Sequence, residues 1–278
     1  MSLSYDEGDW PSASGQRLFY RFWQPPEAQA LVVIIHGFGE HGGRYAPVAE
    51  ALAEHGIAVA APDLCGHGRS SGARGDVADV SRCADDVALM SAQVFRPRAG
   101  QDRYVVFGHS FGGLVAILLA LEHPDGPRRL MIQSPFFEAG FPIPGWKVAA
   151  AKLLAAIWPT ASLSTDLPVE ALSHDPAVLQ AYRSDPLVHQ VMSARAYRAV
   201  RHASGDVMAR AAELSIPTLL LCGTGDRIVS VEAARCWFER LRCDKRRVEF
   251  PGAYHELHHE PVRADVLRLI QEWTLAHA

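Results

Sequence analysis

The chain has no C-x-x-C pair, and its five cysteines, Cys65, Cys83, Cys222, Cys236 and Cys243, are odd in number. Neither a disulfide framework nor a thiolate zinc site is expected, and reduced thiols in a cytoplasmic setting fit best. Long apolar runs are also missing. The most apolar stretch, "WKVAAAKLLAAIW" at 146–158, is too short to span a bilayer and carries two lysines. The opening "MSLSYDEGDWPSASG" is acidic and polar, which is not the pattern of a secretory signal. The one dense basic run, Lys245-Arg246-Arg247, follows Asp244 and has no interleaved aromatics, so no nucleic-acid partner is expected. Repeats and low-complexity tracts are absent. What remains is an ordinary globular composition: 278 residues, 49% hydrophobic, 21% charged and a formal net charge of −4. A chain of this length can bury a core without covalent staples.

Short apolar runs alternate with longer amphipathic ones. "LVVIIHG" (31–37), "IAVAAPD" (57–63), "RYVVFGHS" (103–110), "RRLMIQSP", "TLLLCGTGD" and "RRVEFPGA" read as strands. "RYAPVAEALAEHG" (44–56), "DVSRCADDVALMSAQVF" (79–95), "FGGLVAILLALEH", "VEAARCWFERL" and "PVRADVLRLIQEWTLA" read as helices. Val/Ile/Leu-rich strands alternating with helices predict an α/β fold, a mostly parallel twisted sheet with helices on both faces. "RLFYRFW" (17–23) adds a strand at the N-terminal edge. Residues 136–208 break the rhythm and contain no convincing strand. They are expected to form a helical lid over the C-terminal edge of the sheet, between core segments 1–135 and 209–278.

Three motifs carry chemistry. "GHSFGG" places Gly108-x-Ser110-x-Gly112 between a strand and a helix, the context of a nucleophile elbow. "HGFGEHGG" (36–43) has the literal G-x-G-x-x-G spacing of a dinucleotide loop, with Asp63 ending the next strand. The elbow explains this loop better, because acyl transfer to a serine needs a second backbone N–H from a loop after an early strand. "HELHH" (255–259) spells H-E-x-x-H, a zinc pattern only when it lies on a helix. Pro261 suggests that the last helix starts after it. A serine nucleophile needs a base, and the base needs an acid to orient it. Asp226 after "TLLLCG" and His255 after "RRVEF" fall on strand-end loops in the required order; Asp63 and Glu138 are less well placed. No metal and no cofactor is expected.

"HGFGEHGGRY", "DLCGHGRSSG", "GHSFGG", "SDPLVH", "GDRIVS" and "AYHELHHE" together resemble the monoacylglycerol lipase and lysophospholipase branch of the α/β-hydrolase superfamily, the serine aminopeptidase S33-like type. These motifs run from residue 36 to residue 260. The resemblance implies a triad of Ser110, Asp226 and His255, with an oxyanion hole from the backbone N–H groups of Phe38 and Phe111. It implies substrate contacts by Arg44, His109, Tyr182 and His258, while Glu40 and Arg44 are read as bracing the oxyanion loop. The implied reaction is hydrolysis of a carboxylic ester, monoacylglycerol first, with a lysophospholipid or a short-chain ester as the alternative. A proline-directed peptidase or a non-catalytic receptor of the same fold fits less well. The segment "FFEAGFPIPGWKVAAAKLLAAIWP" departs from the family, and its apolar content suits an acyl chain and transient contact with a membrane surface.

Overall fold

In the computed structural model, which describes residues 3–276, eight strands form one sheet. They are β1 (Ser4–Pro11), β2 (Arg17–Gln24), β3 (Ala30–Ile35), β4 (Ile57–Pro62), β5 (Tyr104–His109) and β6 (Pro127–Gln133), then, after an excursion containing β7 (Ser162–Ser164) and β8 (Val191–Ser193), β9 (Thr218–Gly223) and β10 (Lys245–Phe250). The order across the sheet is β1-β2-β4-β3-β5-β6-β9-β10. Within this sheet only the β1/β2 and β2/β4 pairs are antiparallel.

Alternate residues of the central strands enter different cores, as the two-residue period of a strand requires. Val33, Ile35 and Val106 pack on one face with Leu114, Leu118 and Ala234 from helices Phe111–Glu122 and Val231–Arg240. Val32, Ile34, Val105 and Phe107 pack on the other with Val48, Leu52, Val266 and Leu269 from helices Ala46–Ala53 and Arg263–Leu275. Each fully buried Val, Ile or Leu contributes about 1.5–3 kcal/mol of transfer free energy. Burial on both faces explains why these strands read as unbroken apolar runs.

Two expectations need correction. Residues 136–208 do contain strands: β7 and β8 pair antiparallel, Ser162 opposite Ser193. At three residues each they are too short to show a period. The strand over 17–23 forms as β2 but is not the edge, which is taken by β1 in the polar opening, a strand in which only Trp10 is buried and which therefore lacks the alternation that marks a half-buried strand. Otherwise the excursion between β6 and β9 is helical, with Gly145–Ile157, Pro176–Ser184 and Ala194–Ala209. Its return arm is tied to the core: His189 N–H donates to the Gly39 carbonyl at 2.8 Å, Ser193 N–H to the Gly75 carbonyl at 3.0 Å, and His41 meets Asp185 at 2.8 Å. The basic run of β10 is a solvated edge, where Lys245 donates to helix-end carbonyls of Phe238 and Leu241 and Arg247 pairs with Glu239. No described helix is long and apolar enough to cross a membrane.

Candidate active site

The residues expected to do chemistry gather where the parallel strands end at their carboxyl edge, the crevice that open α/β sheets use for ligands. Ser110 follows β5 directly and caps helix Phe111–Glu122 with φ 53° and ψ −117°. This strained turn leaves no room for side chains around it. A Cβ on Gly108 would strike the Gly112 carbonyl oxygen, and one on Gly112 would strike the carbonyl of Ile35. The turn is anchored by its backbone: Ser110 N–H donates to the Gln133 carbonyl at 3.0 Å, and the Ser110 carbonyl accepts from Gly113 at 2.9 Å and Phe136 at 3.1 Å.

His255 and Asp226 stand on the loops after β10 and β9. His255 Nδ1 lies 2.7 Å from Asp226 Oδ2, and Asp226 Oδ1 accepts the N–H groups of Ile228 at 2.8 Å and Val229 at 3.1 Å. Both side chains are almost fully buried. Burial alone would push the imidazole down, but the Asp226 carboxylate and its hydrogen bond outweigh it and hold His255 above its ordinary value. Burial would push the Asp226 carboxyl up, but His255 and the two N–H donors keep it below the usual range. The arrangement puts the proton of neutral His255 on Nδ1 and leaves Nε2 as a base. The His255 loop is strapped from the excursion, its N–H donating to the Ala171 carbonyl and that of Glu256 to the Leu172 carbonyl.

Ser110 and His255 share a cavity of about 470 Å³ whose walls are mostly apolar, among them Phe38, Phe111, Phe136, Leu172 and Met192. Among the described residues the amide N–H groups of Phe38 and Phe111 have no protein acceptor. The two rings pack edge to face at 5.4 Å, which sets the two loops against each other.

The four residues expected around the substrate separate into two pairs. His109 and Tyr182 line the cavity. Arg44 and His258 are not among the residues that line it. Arg44 is buried against two carboxylates, with bidentate hydrogen bonds of 2.6 and 2.8 Å to Glu256 and an ion pair to Glu40, and its guanidinium sits 4.9 Å from the centre of the Tyr182 ring. Glu40 in turn accepts from Gly37 N–H at 2.6 Å and from the Tyr45 hydroxyl at 2.8 Å, so it braces the glycine loop. Burial pushes Glu40 and Glu256 up, but Arg44 outweighs it and holds both carboxyls below their ordinary values. Arg44→Met is therefore expected to destabilise the fold by about 3–5 kcal/mol, because two buried carboxylates lose their cation. Urea denaturation at neutral pH checks this, and a loss under about 1 kcal/mol would mean that the pair relaxes into water.

Glu256 is a residue to which sequence reading gave no role beyond the zinc pattern. In the H-E-x-x-H reading it is a general base, but it is bonded to an arginine 212 positions away, a contact with no local signal. His255 stands in a loop, and only residues 257–259 form a short 3₁₀ turn, so the helical zinc pattern does not form. Glu256, His258 and His259 do bring ligand-capable atoms within 4.8 Å of one another. Most of their ligand-capable atoms are engaged, Glu256 with Arg44 and His259 and His258 Nδ1 with Gln133, and His258 Nε2 is left without a partner among the described residues. Asp63 is structural too, pairing with Arg21 at 2.7 Å and accepting from the N–H groups of Gly42 and Arg69. Glu138 lies exposed at the cavity.

The sequence matches the family described as "Serine aminopeptidase, S33" over residues 26–262. It is 31% identical to a monoacylglycerol lipase of Mycolicibacterium smegmatis over 100% of this chain and 99% of that protein. It is 33% identical to the human monoglyceride lipase over 94% of this chain and 88% of that one. The crystal structure of Paleococcus ferrophilus monoacylglycerol lipase superposes with a TM-score of 0.84 at 32% identity, covering both chains completely. The chain belongs to the serine aminopeptidase S33 family, in the monoacylglycerol lipase branch of the α/β-hydrolases.

Proposed function

We propose that this family member hydrolyses carboxylic esters, monoacylglycerol to fatty acid and glycerol first among them, through an acyl-enzyme on Ser110. The observation that carries the reading is the Asp226–His255 pair, which shares with Ser110 an apolar cavity bordered by two amide N–H groups that have no protein acceptor among the described residues. Ser110 Oγ attacks the ester carbonyl while His255 Nε2 takes its proton, and Asp226 stabilises the imidazolium. The N–H groups of Phe38 and Phe111 receive the oxyanion, worth about 3 kcal/mol for each donor. His255 protonates the leaving alcohol, then activates the water that releases the fatty acid. Every proton moves between the serine, the imidazole, the alcohol and water.

The apolar wall would hold the acyl chain, and His109 and Tyr182 would meet the glycerol end, with Arg44 and His258 supporting them from behind. Residues 136–208 would act as the lid. Release of fatty acid from a monoacylglycerol and from the matching lysophosphatidylcholine, measured side by side, tests the head group. Preference for the monoacylglycerol is expected. Arg201 on the cavity wall, which can meet a phosphate, is the observation that favours the second reading, a lysophospholipid, and preference for lysophosphatidylcholine would move the assignment there.

Trp146, Leu153, Ile157 and Trp158 on and just after helix Gly145–Ile157 are each more than half exposed. An apolar face of this kind suits transient contact with a lipid surface. Exchanging the four for serine should abolish co-sedimentation with lipid vesicles and leave hydrolysis of a soluble short ester intact. Undiminished sedimentation would end that reading.

A further inference from the structure

Gln133 is the last residue of β6, wholly buried, and has no place in the mechanism above. Its backbone carbonyl already holds the N–H of Ser110. Its side-chain Nε2 lies 2.9 Å from His109 Nδ1 and 2.8 Å from His258 Nδ1. A carboxamide nitrogen has two hydrogens and no lone pair to offer, so it can only donate. Both imidazoles must then accept at Nδ1, and each neutral ring carries its proton on Nε2.

The amide could be turned the other way only at a penalty. As placed, Gln133 Oε1 and His258 Nε2 are the two buried polar atoms of the trio without a partner. That leaves one carbonyl oxygen and one N–H unmet. With the amide reversed, Oε1 would accept from both rings, and two amide N–H groups would be stranded with no acceptor. Unpaired buried N–H groups are rarer in proteins than under-used carbonyls. The observed orientation strands the smaller number of donors.

Resting on the reading of His109 as a substrate-facing residue, we propose that Gln133 is a positioning residue that locks His109 in the tautomer with its proton on Nε2, so that the ring offers an N–H donor to an oxygen of the glycerol leaving group. His109 lines the cavity beside Ser110, its ring centre 4.6 Å from that of His255, and its Nε2 has no protein partner among the described residues. Burial, aided by the nearby His255, brings the His109 imidazole down to about 4, against the pull of Glu40, Glu256 and Asp226, so the ring is neutral at physiological pH. A neutral ring has one proton to place, and Gln133 decides where. His258, stacked at 4.7 Å on Tyr45, completes the rigid backing.

The tautomers can be read directly from histidine side-chain ¹⁵N shifts in a long-range ¹H–¹⁵N correlation spectrum of the wild-type protein. Both His109 and His258 should show the Nε2–H pattern, and an Nδ1–H pattern for His109 overturns the proposal whatever the variants do. Gln133→Glu replaces the donor by a group that only accepts, which draws the proton to Nδ1; Gln133→Met leaves the tautomer unfixed. Each is assayed on a glycerol ester and on the 4-nitrophenyl ester of the same fatty acid, whose leaving group has no hydroxyl to receive a donor. Loss of about tenfold in kcat/KM on the glycerol ester, one hydrogen bond's worth, with less than about threefold on the nitrophenyl ester, is expected for Gln133→Glu and more weakly for Gln133→Met. Equal losses on both esters would make Gln133 merely structural and overturn the positioning role. A wild type that cleaves the nitrophenyl ester but no glycerol ester would overturn the functional reading of the site instead, and the tautomer spectrum would still report on Gln133.

Discussion

Ser110→Ala is expected to lower ester hydrolysis by about 10⁶-fold while the protein stays folded. The loss follows from the chemistry proposed above, in which no other group can form the acyl bond once the hydroxyl is gone. The fold should survive for reasons visible around the turn. The Ser110 side chain makes no capping hydrogen bond to its helix, so its removal strands no donor. The three backbone bonds that anchor the turn, to Gln133 and from Gly113 and Phe136, do not involve the side chain. The positive φ strains alanine and serine alike, so the substitution adds little to that cost. Hydrolysis of a monoacylglycerol, labelling by a fluorophosphonate and the melting temperature measure the three parts of the expectation. Turnover near the wild-type level would remove Ser110 from the mechanism. A residual rate of about 10³-fold over water is compatible with it, because the oxyanion donors remain.

How much of this was legible in the sequence depends on the range of the interaction concerned. The central strands are buried on both faces, so each declares itself as an apolar run, and the elbow at Ser110 declares itself because glycine is required at two fixed offsets. Asp226 and His255 could be placed by their position just past strands, before anything showed that their side chains meet. The edge strand β1 and the short pair β7/β8 were hidden, since they bury too little to impose a pattern. The support layer of the site was hidden for a different reason. Arg44 with Glu256, and Gln133 with His109 and His258, are joined across 212, 24 and 125 positions by single side chains whose types occur everywhere on a protein surface. A motif can nominate such residues, as it did Arg44 and His258, but it cannot say whether they face the substrate or stand behind the residues that do.

Asp226→Asn should have the next largest effect, a fall of about 10⁴-fold in kcat at neutral pH, and it should also move the pH profile. The substitution keeps the shape of the side chain, and its oxygen can still accept from Ile228 and Val229. What changes is the group 2.7 Å from His255 Nδ1: a carboxylate that accepts becomes an amide that can present a donor. The imidazole then accepts at Nδ1, its proton passes to Nε2, and the nitrogen facing Ser110 is no longer a base. The pH dependence follows from the same contact. Only neutral His255 can take the serine proton, so in the wild type kcat/KM declines as pH falls through a value above 6.5. Asp226 is the main group that raises that value, whereas burial lowers it and persists in the variant. The acid limb of Asp226→Asn should therefore lie at lower pH than that of the wild type, although its plateau is far lower. Profiles of kcat/KM over roughly pH 5 to 9 separate the two effects. An acid limb that stays in place would mean that some group other than His255 governs it. A limb that moves down, with a plateau that does not recover at any pH, would show that Asp226 supplies orientation as well as charge.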